Sequence, residues 1–336
     1  MLSAALALAH CGGIVETTPT DAGSRTDGSL SRDGGTPADA TLNPHFDAGR
    51  DAAFDPDVHD PDASNPVDAG RDAQPPIPTP FAAAVSSEFH HTCALLVNGQ
   101  VKCWGDGANG ALGYGNQNQI GNAPGQMGSA LPAVDLGTGR TAISMSVGTV
   151  NTCVILDDRT AKCWGRAEGN ATGYAPFVVG NFGYFPGTMG DTIPTLDFGS
   201  GRTVRELFAG GLGGCAILDN NEAKCWGLNT YGQLAQGTTA NVYLQGMPPI
   251  NLGTGRTVKV FARAGWSACA ILDNGGVKCW GRNAEGQLGD GTTTSRSAPV
   301  DVIGMTSGIQ AVGGGAFHSC AITGAGSLSC WGRNGN

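Results

Sequence analysis

Residues 269–302 read CAILDNGGVKCWGRNAEGQLGDGTTTSRSAPVDV, and the fold follows from how this stretch is parsed. It opens on an apolar run, Cys269-Ala270-Ile271-Leu272, then passes Asp273-Asn274-Gly275 before Val277-Lys278-Cys279-Trp280. Apolar and β-branched residues on either side of a Gly-containing centre are the pattern of a β-hairpin. Its turn is a type I turn closed by a residue in the left-handed region, which Gly or Asn fills best. Folding about that centre sets Cys269 opposite Cys279. Cross-strand Cβ atoms, roughly 4.5–5.5 Å apart, need little adjustment to form a disulfide.

The same unit occurs five times: CALLVNGQVKCWG (93–105), CVILDDRTAKCWG (153–165), CAILDNNEAKCWG (215–227), CAILDNGGVKCWG (269–281) and CAITGAGSLSCWG (320–332). Its first Cys returns after 60, 62, 54 and 51 residues, a spacing that marks a repeat architecture. The left-handed turn position falls to Gly99, Arg159, Asn221, Gly275 and Gly326, so the Arg159 turn is predicted to be the most strained. A second element recurs between units: DLGTGRTAISMSVG, DFGSGRTVRELFAG, NLGTGRTVKVFARA and a degraded DVIGMTSGIQAVGG.

Eleven cysteines make five pairs at C-x9-C and leave Cys11 over. Zinc is the alternative to disulfides, but structural zinc pairs sit at shorter spacing. Hairpin register favours disulfides Cys93–Cys103, Cys153–Cys163, Cys215–Cys225, Cys269–Cys279 and Cys320–Cys330, and hence an oxidising compartment.

The C-A-x-L hairpin, C-W-G, N-x-x-G-Q-L-G-D-G-T and the later P-V-x-V of residues 269–302 closely resemble one repeat of the regulator-of-chromosome-condensation family. The resemblance covers residues 81–336. It is specific in the fourth copy, good in the third (GLNTYGQLAQGTT) and loose in the second (GRAEGNATGY). It implies an all-β fold, a β-propeller whose ring typically has seven blades of four strands. Four full repeats are expected at about 81–136, 141–198, 203–252 and 257–303, with an incomplete fifth at 308–336. On this reading the ring is truncated by about two to three blades, and its open ends, near Phe81 and Trp331, expose apolar flanks. The competing arrangement has PPIPTPF (75–81) closing a smaller ring.

Outside the repeats the composition changes. Residues 14–80 hold 13 acidic and 4 basic side chains, whereas residues 81–336 hold 15 of each, so the whole net charge of −9 belongs to the first tract. Its Asp-, Ala- and Pro-rich fragments, such as DAGRDAAFDPD, read as a disordered linker with a reach of about 45 Å. FDPDVHDPD lacks the Gly and closing Glu of an EF-hand loop. Ahead of it, residues 1–13 read as a signal segment with a lipobox at Leu8-Ala9-His10-Cys11, which makes Cys11 a lipidation candidate. The absent basic n-region and His10 depart from that pattern.

No nucleophile–base set, metal motif or phosphate loop stands out, so no enzyme activity, cofactor or metal is expected. His90, His91 and His318 precede hairpin cysteines, and the resemblance makes a His there a structural hydrogen-bonding residue. Gly210-Gly211 and Gly313-Gly314-Gly315 read as close approaches of inner strands at the propeller axis. Trp104, Trp164, Trp226, Trp280 and Trp331 recur in C-W-G and mark packing between blades, while Trp266 lies outside that unit, where the family more often has a polar residue. Arg140, Arg202 and Arg256 recur in G-[TS]-G-R-T turns, either bridged to a neighbouring blade or forming a ring of basic loop tips. These three Arg and Trp266 are the candidate binding loops, since loops on rigid scaffolds carry recognition.

The sequence points to an extracytoplasmic, surface-anchored binding scaffold for a protein or cell-envelope partner, touching the membrane only through a lipid anchor. Without excess Lys and Arg in the repeats, nucleic acid is not an expected partner. Alternatives are an inhibitor of an extracellular enzyme, similar to a propeller-type β-lactamase inhibitory protein, and a guanine-nucleotide exchange regulator.

Overall fold

A computed structural model describes residues 81–174, 181–241 and 243–335. The expectations for residues 1–13 and 14–80 lie outside the described residues. Strands follow the repeats. Blade 1 is β1 (Ala82–Glu88), β2 (His91–Leu96) and β3 (Val101–Gly105); blade 2 is β4 (Ala142–Val147), β5 (Asn151–Leu156) and β6 (Ala161–Gly165). Blade 3 is β7 (Val204–Gly210), β8 (Gly213–Leu218) and β9 (Ala223–Gly227). Blade 4 adds a fourth strand to the pattern: β10 (Val258–Ala264), β11 (Ser267–Leu272), β12 (Val277–Gly281) and β13 (Arg296–Asp301). Blade 5 is β14 (Ile309–Gly314), β15 (His318–Thr323) and β16 (Leu328–Gly332).

Each blade is an antiparallel meander, and the hairpin register matches the sequence pattern. Cys93 pairs with Cys103, Cys153 with Cys163, Cys215 with Cys225, Cys269 with Cys279 and Cys320 with Cys330. All five pairs are disulfides with Cα atoms 4.0–4.1 Å apart. The predicted left-handed turn residues have positive φ, from 63° at Asn221 to 83° at Gly326, and Arg159 itself sits at 66°. A β-bulge recurs at the same place in every first strand, where one extra residue (Ala83, Ile143, Arg205, Lys259 or Gln310) bends the strand.

Among the described residues, the four-strand blade of the resemblance is complete only in blade 4. There RSAPVD (296–301) forms β13, which pairs with β12 through Arg296, Val300 and Asp301. In blades 1 and 2 the Gly- and Pro-rich outer segments reduce the edge to the single bridges Gly105–Ile120 and Gly165–Phe182. First strands pack in succession, β1 beside β4, β4 beside β7, β7 beside β10 and β10 beside β14. Apolar side chains are exposed at both ends of this series: Phe81 and Val85 on one side, Ile322 and Leu328 on the other.

What joins blade to blade is the motif that carried the resemblance. Asn283 is fully buried, and its side-chain amide donates to the carbonyls of Thr292 and Thr294 while its oxygen accepts from the Leu288 amide. Asn229 repeats this with Thr238, Ala240 and Leu234. The loop so fixed turns one carbonyl toward the next blade, where the C-W-G indole donates to it. The bonds are Trp164 to Ala111 O (3.0 Å), Trp226 to Ala171 O (3.3 Å), Trp280 to Gln233 O (3.1 Å) and Trp331 to Gln287 O (2.9 Å). Trp164, Trp226 and Trp280 are fully buried, so an apolar body and a satisfied polar tip are both placed at the seam.

Candidate interaction face

Every blade has two ends, and the candidate residues divide between them. Arg140, Arg202 and Arg256 lie just ahead of β4, β7 and β10, at the end that also carries the cysteine hairpin turns. There each is paired to an Asp of its own blade's hairpin rather than to a neighbouring blade: Arg140 to Asp157 (3.4 Å) and Asp158, Arg202 to Asp219 (3.4 Å), Arg256 to Asp273 (2.9 Å). The same Asp residues accept from the amides of Thr141, Thr203 and Thr257. This clasp closes the blade on itself and balances the charge of each Arg. The lysines of K-C-W-G, whose role the sequence does not announce, are structural too. Lys162 is buried, donates to the carbonyls of Leu136 and Gly190, and is held below its usual pKa by that burial.

Trp266 lies at the opposite end, in the turn from β10 to β11. With Arg256 ahead of β10 and Trp266 after it, a seven-residue strand of roughly 23 Å separates them, so the two do not form one site. Nor is Trp266 irregular. It stands three residues before the first hairpin Cys, where the other blades place His90, Val150, Leu212 and Phe317. The expected polar residue is apolar here in four blades of five.

The backbone holds this turn identically throughout. The carbonyls of His90, Val150, Leu212, Trp266 and Phe317 accept from the amides of Asp106, Arg166, Leu228, Arg282 and Arg333 at 2.9–3.0 Å. Two rows of side chains are thereby brought into register. In blades 3 to 5 they form one continuous stripe. Tyr231 meets Trp266 edge-on, with ring centroids 5.8 Å apart. Trp266 is tied to Arg282, whose guanidinium lies over the Phe317 ring at 5.1 Å; Arg333 covers the same ring at 5.6 Å. Adjacent turns touch: a Cβ on Gly265 would come within 3.1 Å of Ala316, and one on Gly211 within 3.1 Å of the Gly265 carbonyl.

The glycine and histidine expectations resolve position by position. Gly210 and Gly211 make room for the Arg263 side chain of the next blade, whereas Gly313 has open space beside it and Gly315 lies against His318. Arg263 is held down to about 10, chiefly by burial. His91 is buried between blades 1 and 2. Thr152 spends its hydroxyl proton on Ala111 O (2.9 Å), so it accepts from His91 Nε2–H (2.8 Å), and Nδ1 is left without a partner. Burial, the largest cause, lowers its pKa to about 4. Among the described residues no group of three His, Cys, Asp or Glu could hold a metal ion. Cys11 lies outside the described residues.

The profile of the regulator of chromosome condensation (RCC1) repeat matches residues 274–322, and a second RCC1 repeat profile matches 84–111, 204–233 and 309–336. Over these segments the chain carries RCC1-type repeats. Among relatives, this RCC1-repeat chain is 26% identical over 236 residues to the E3 ubiquitin-protein ligase HERC2 of Homo sapiens, matching 69% of this chain and 4% of HERC2. It is 25% identical over 250 residues to the RCC1 domain-containing protein RUG3, mitochondrial, of Arabidopsis thaliana, covering 72% of this chain and 52% of RUG3. The ultraviolet-B receptor UVR8 of Arabidopsis thaliana is 27% identical over 205 residues, covering 59% and 43%. The chain thus spans about half or less of the length of these relatives. Among solved structures, human WBSCR16 superposes with a TM-score of 0.59 at 19% identity, over 74% of this chain and 61% of that one. Yeast RCC1 (Prp20), in its complex with Kap60, gives 0.55 at 18%, over 75% and 56%. At such identities the likeness establishes the RCC1-type propeller fold.

Proposed function

We propose that this chain is a non-catalytic binding scaffold that recognises a protein or cell-envelope partner through the turn face of blades 3 to 5. The observation that carries the reading is the stripe Tyr231–Trp266–Arg282–Phe317–Arg333. It presents half-exposed aromatic surface and guanidinium groups on turns fixed by the repeat's own hydrogen bonds, the pre-organised mixture that interface centres favour. The scaffold works outside the cytoplasm, anchored through Cys11. Five hairpin disulfides support that location, because such bonds persist in oxidising compartments.

Cross-linking capture from the native cell envelope tests the face. The full chain should retain specific partners that a Tyr231→Ala/Trp266→Ala variant loses and an Arg202→Ala/Arg256→Ala variant keeps. Loss in the arginine variant instead would move the site to the opposite end of the blades. Mass spectrometry of the membrane fraction reads out the anchor, and an unmodified Cys11 there refutes it.

A further inference from the structure

We propose that the blade 4–5 sector of this face takes a short acidic segment of a partner protein, with carboxylates seated against Arg282 and Arg333 and an aromatic or aliphatic side chain against Trp266 and Phe317. The inference rests on the scaffold reading and adds the chemistry of the partner.

Two guanidiniums share one phenyl ring. Arg282 and Arg333 lie 5.1 and 5.6 Å from the Phe317 centroid, which places like charges close together on a surface where Phe317 is itself 38% exposed. Stacking satisfies the faces of the guanidinium planes and leaves their N–H edges to find acceptors. Arg282 spends one edge on Glu285, at 3.4 Å, and its Nη1 is buried with no partner. Arg333 is exposed and pairs with no carboxylate among the described residues. Two cations against one anion leave an excess that an incoming carboxylate relieves, and the guanidinium fork suits a carboxylate bidentately. The Trp266–Tyr231 pair continues the surface without charge, so the complementary ligand is amphipathic as well as acidic.

A polyanion such as nucleic acid fits less well. Residues 81–336 carry as many acidic as basic side chains; in the same row of turns blade 1 has Asp106, and the Arg166 of blade 2 is paired with Glu168.

The test uses the full chain and fluorescence polarisation at low ionic strength with three labelled probes: the peptide EEYEEGEEYE, its counterpart KKYKKGKKYK and a decathymidylate. The acidic peptide should bind and the other two should not. Arg333→Gln should weaken binding roughly tenfold, while Arg159→Gln, which removes an exposed cation at the other end of a blade, should leave it unchanged. Thermal melts of both variants check that each is folded. Equal affinity in Arg333→Gln, binding of the basic peptide or decathymidylate, or no binding of the acidic peptide overturns the inference. Should envelope capture still depend on Trp266 and Tyr231 when the acidic peptide fails, the face survives and the acidic chemistry falls. Should that dependence also be missing, both fall together.

Discussion

Acidification from pH 7 to pH 5 should loosen blade 1 from blade 2 through a single side chain, His91. The imidazole is 4% exposed, donates through Nε2 to Thr152, and has no acceptor for a proton on Nδ1. Protonation would bury a charge and a donor together, which is why its pKa falls from 6.5 to about 4. Between those two values the unfolded chain binds the proton and the folded chain does not. Stability is therefore full above pH 6.5 and is lost as the pH falls toward 4. A gap of that size is worth roughly 3 kcal/mol in full, about 2 kcal/mol of it by pH 5. Other groups titrate in the same range, so the decisive comparison is with His91→Asn. This substitution copies blade 2, where Asn151 fills the same place and donates to the carbonyls of Ala171 and Gly213. In urea unfolding of the full chain, with its disulfides intact, the wild type should lose about 2 kcal/mol more than the variant between pH 7 and 5. Curves that stay parallel would refute the assignment of the acid sensitivity to His91.

Trp226→Phe removes the indole that donates to Ala171 O and should cost about 2–4 kcal/mol, read by urea unfolding; a loss under 1 kcal/mol would show that the seam bond is unimportant. Ala235 occupies, at φ 59°, the place that Gly113, Gly173 and Gly289 hold in other blades, so Ala235→Gly should raise stability by about 0.5–1 kcal/mol and the melting temperature with it. The converse, Gly173→Ala, would set a Cβ 2.8 Å from Trp226 Nε1 and should lower the melting temperature. Arg256→Ala opens a clasp whose two side chains are 38% and 39% exposed, so its cost should stay below about 1 kcal/mol and shrink with salt. Replacing Cys215 and Cys225 together by Ala should cost roughly 2–3 kcal/mol, measured against the intact chain under non-reducing conditions.

Much of this is written in the linear order of residues. Hairpin register, disulfide pairing and the handedness of each turn are local matters: a period of two along each strand and a three-residue centre decide them, and Arg159 obeys even though its side chain disfavours the conformation. The interblade role of the C-W-G tryptophans is legible as a regularity. Their acceptors are not, because the accepting carbonyl belongs to a loop 44 to 55 residues away, and backbone groups carry no signature in the sequence. The candidate site depends still more on the third dimension. Arg256 and Trp266 are ten positions apart and read as one set of loops, yet an extended strand carries the chain from one end of the blade to the other between them. Tyr231, Arg282, Phe317 and Arg333 look unrelated along the chain, and the packing of consecutive blades brings them side by side. Strand patterning is a property of neighbours in the chain; a binding face is a property of neighbours in space, and only the stacking of blades decides which those are.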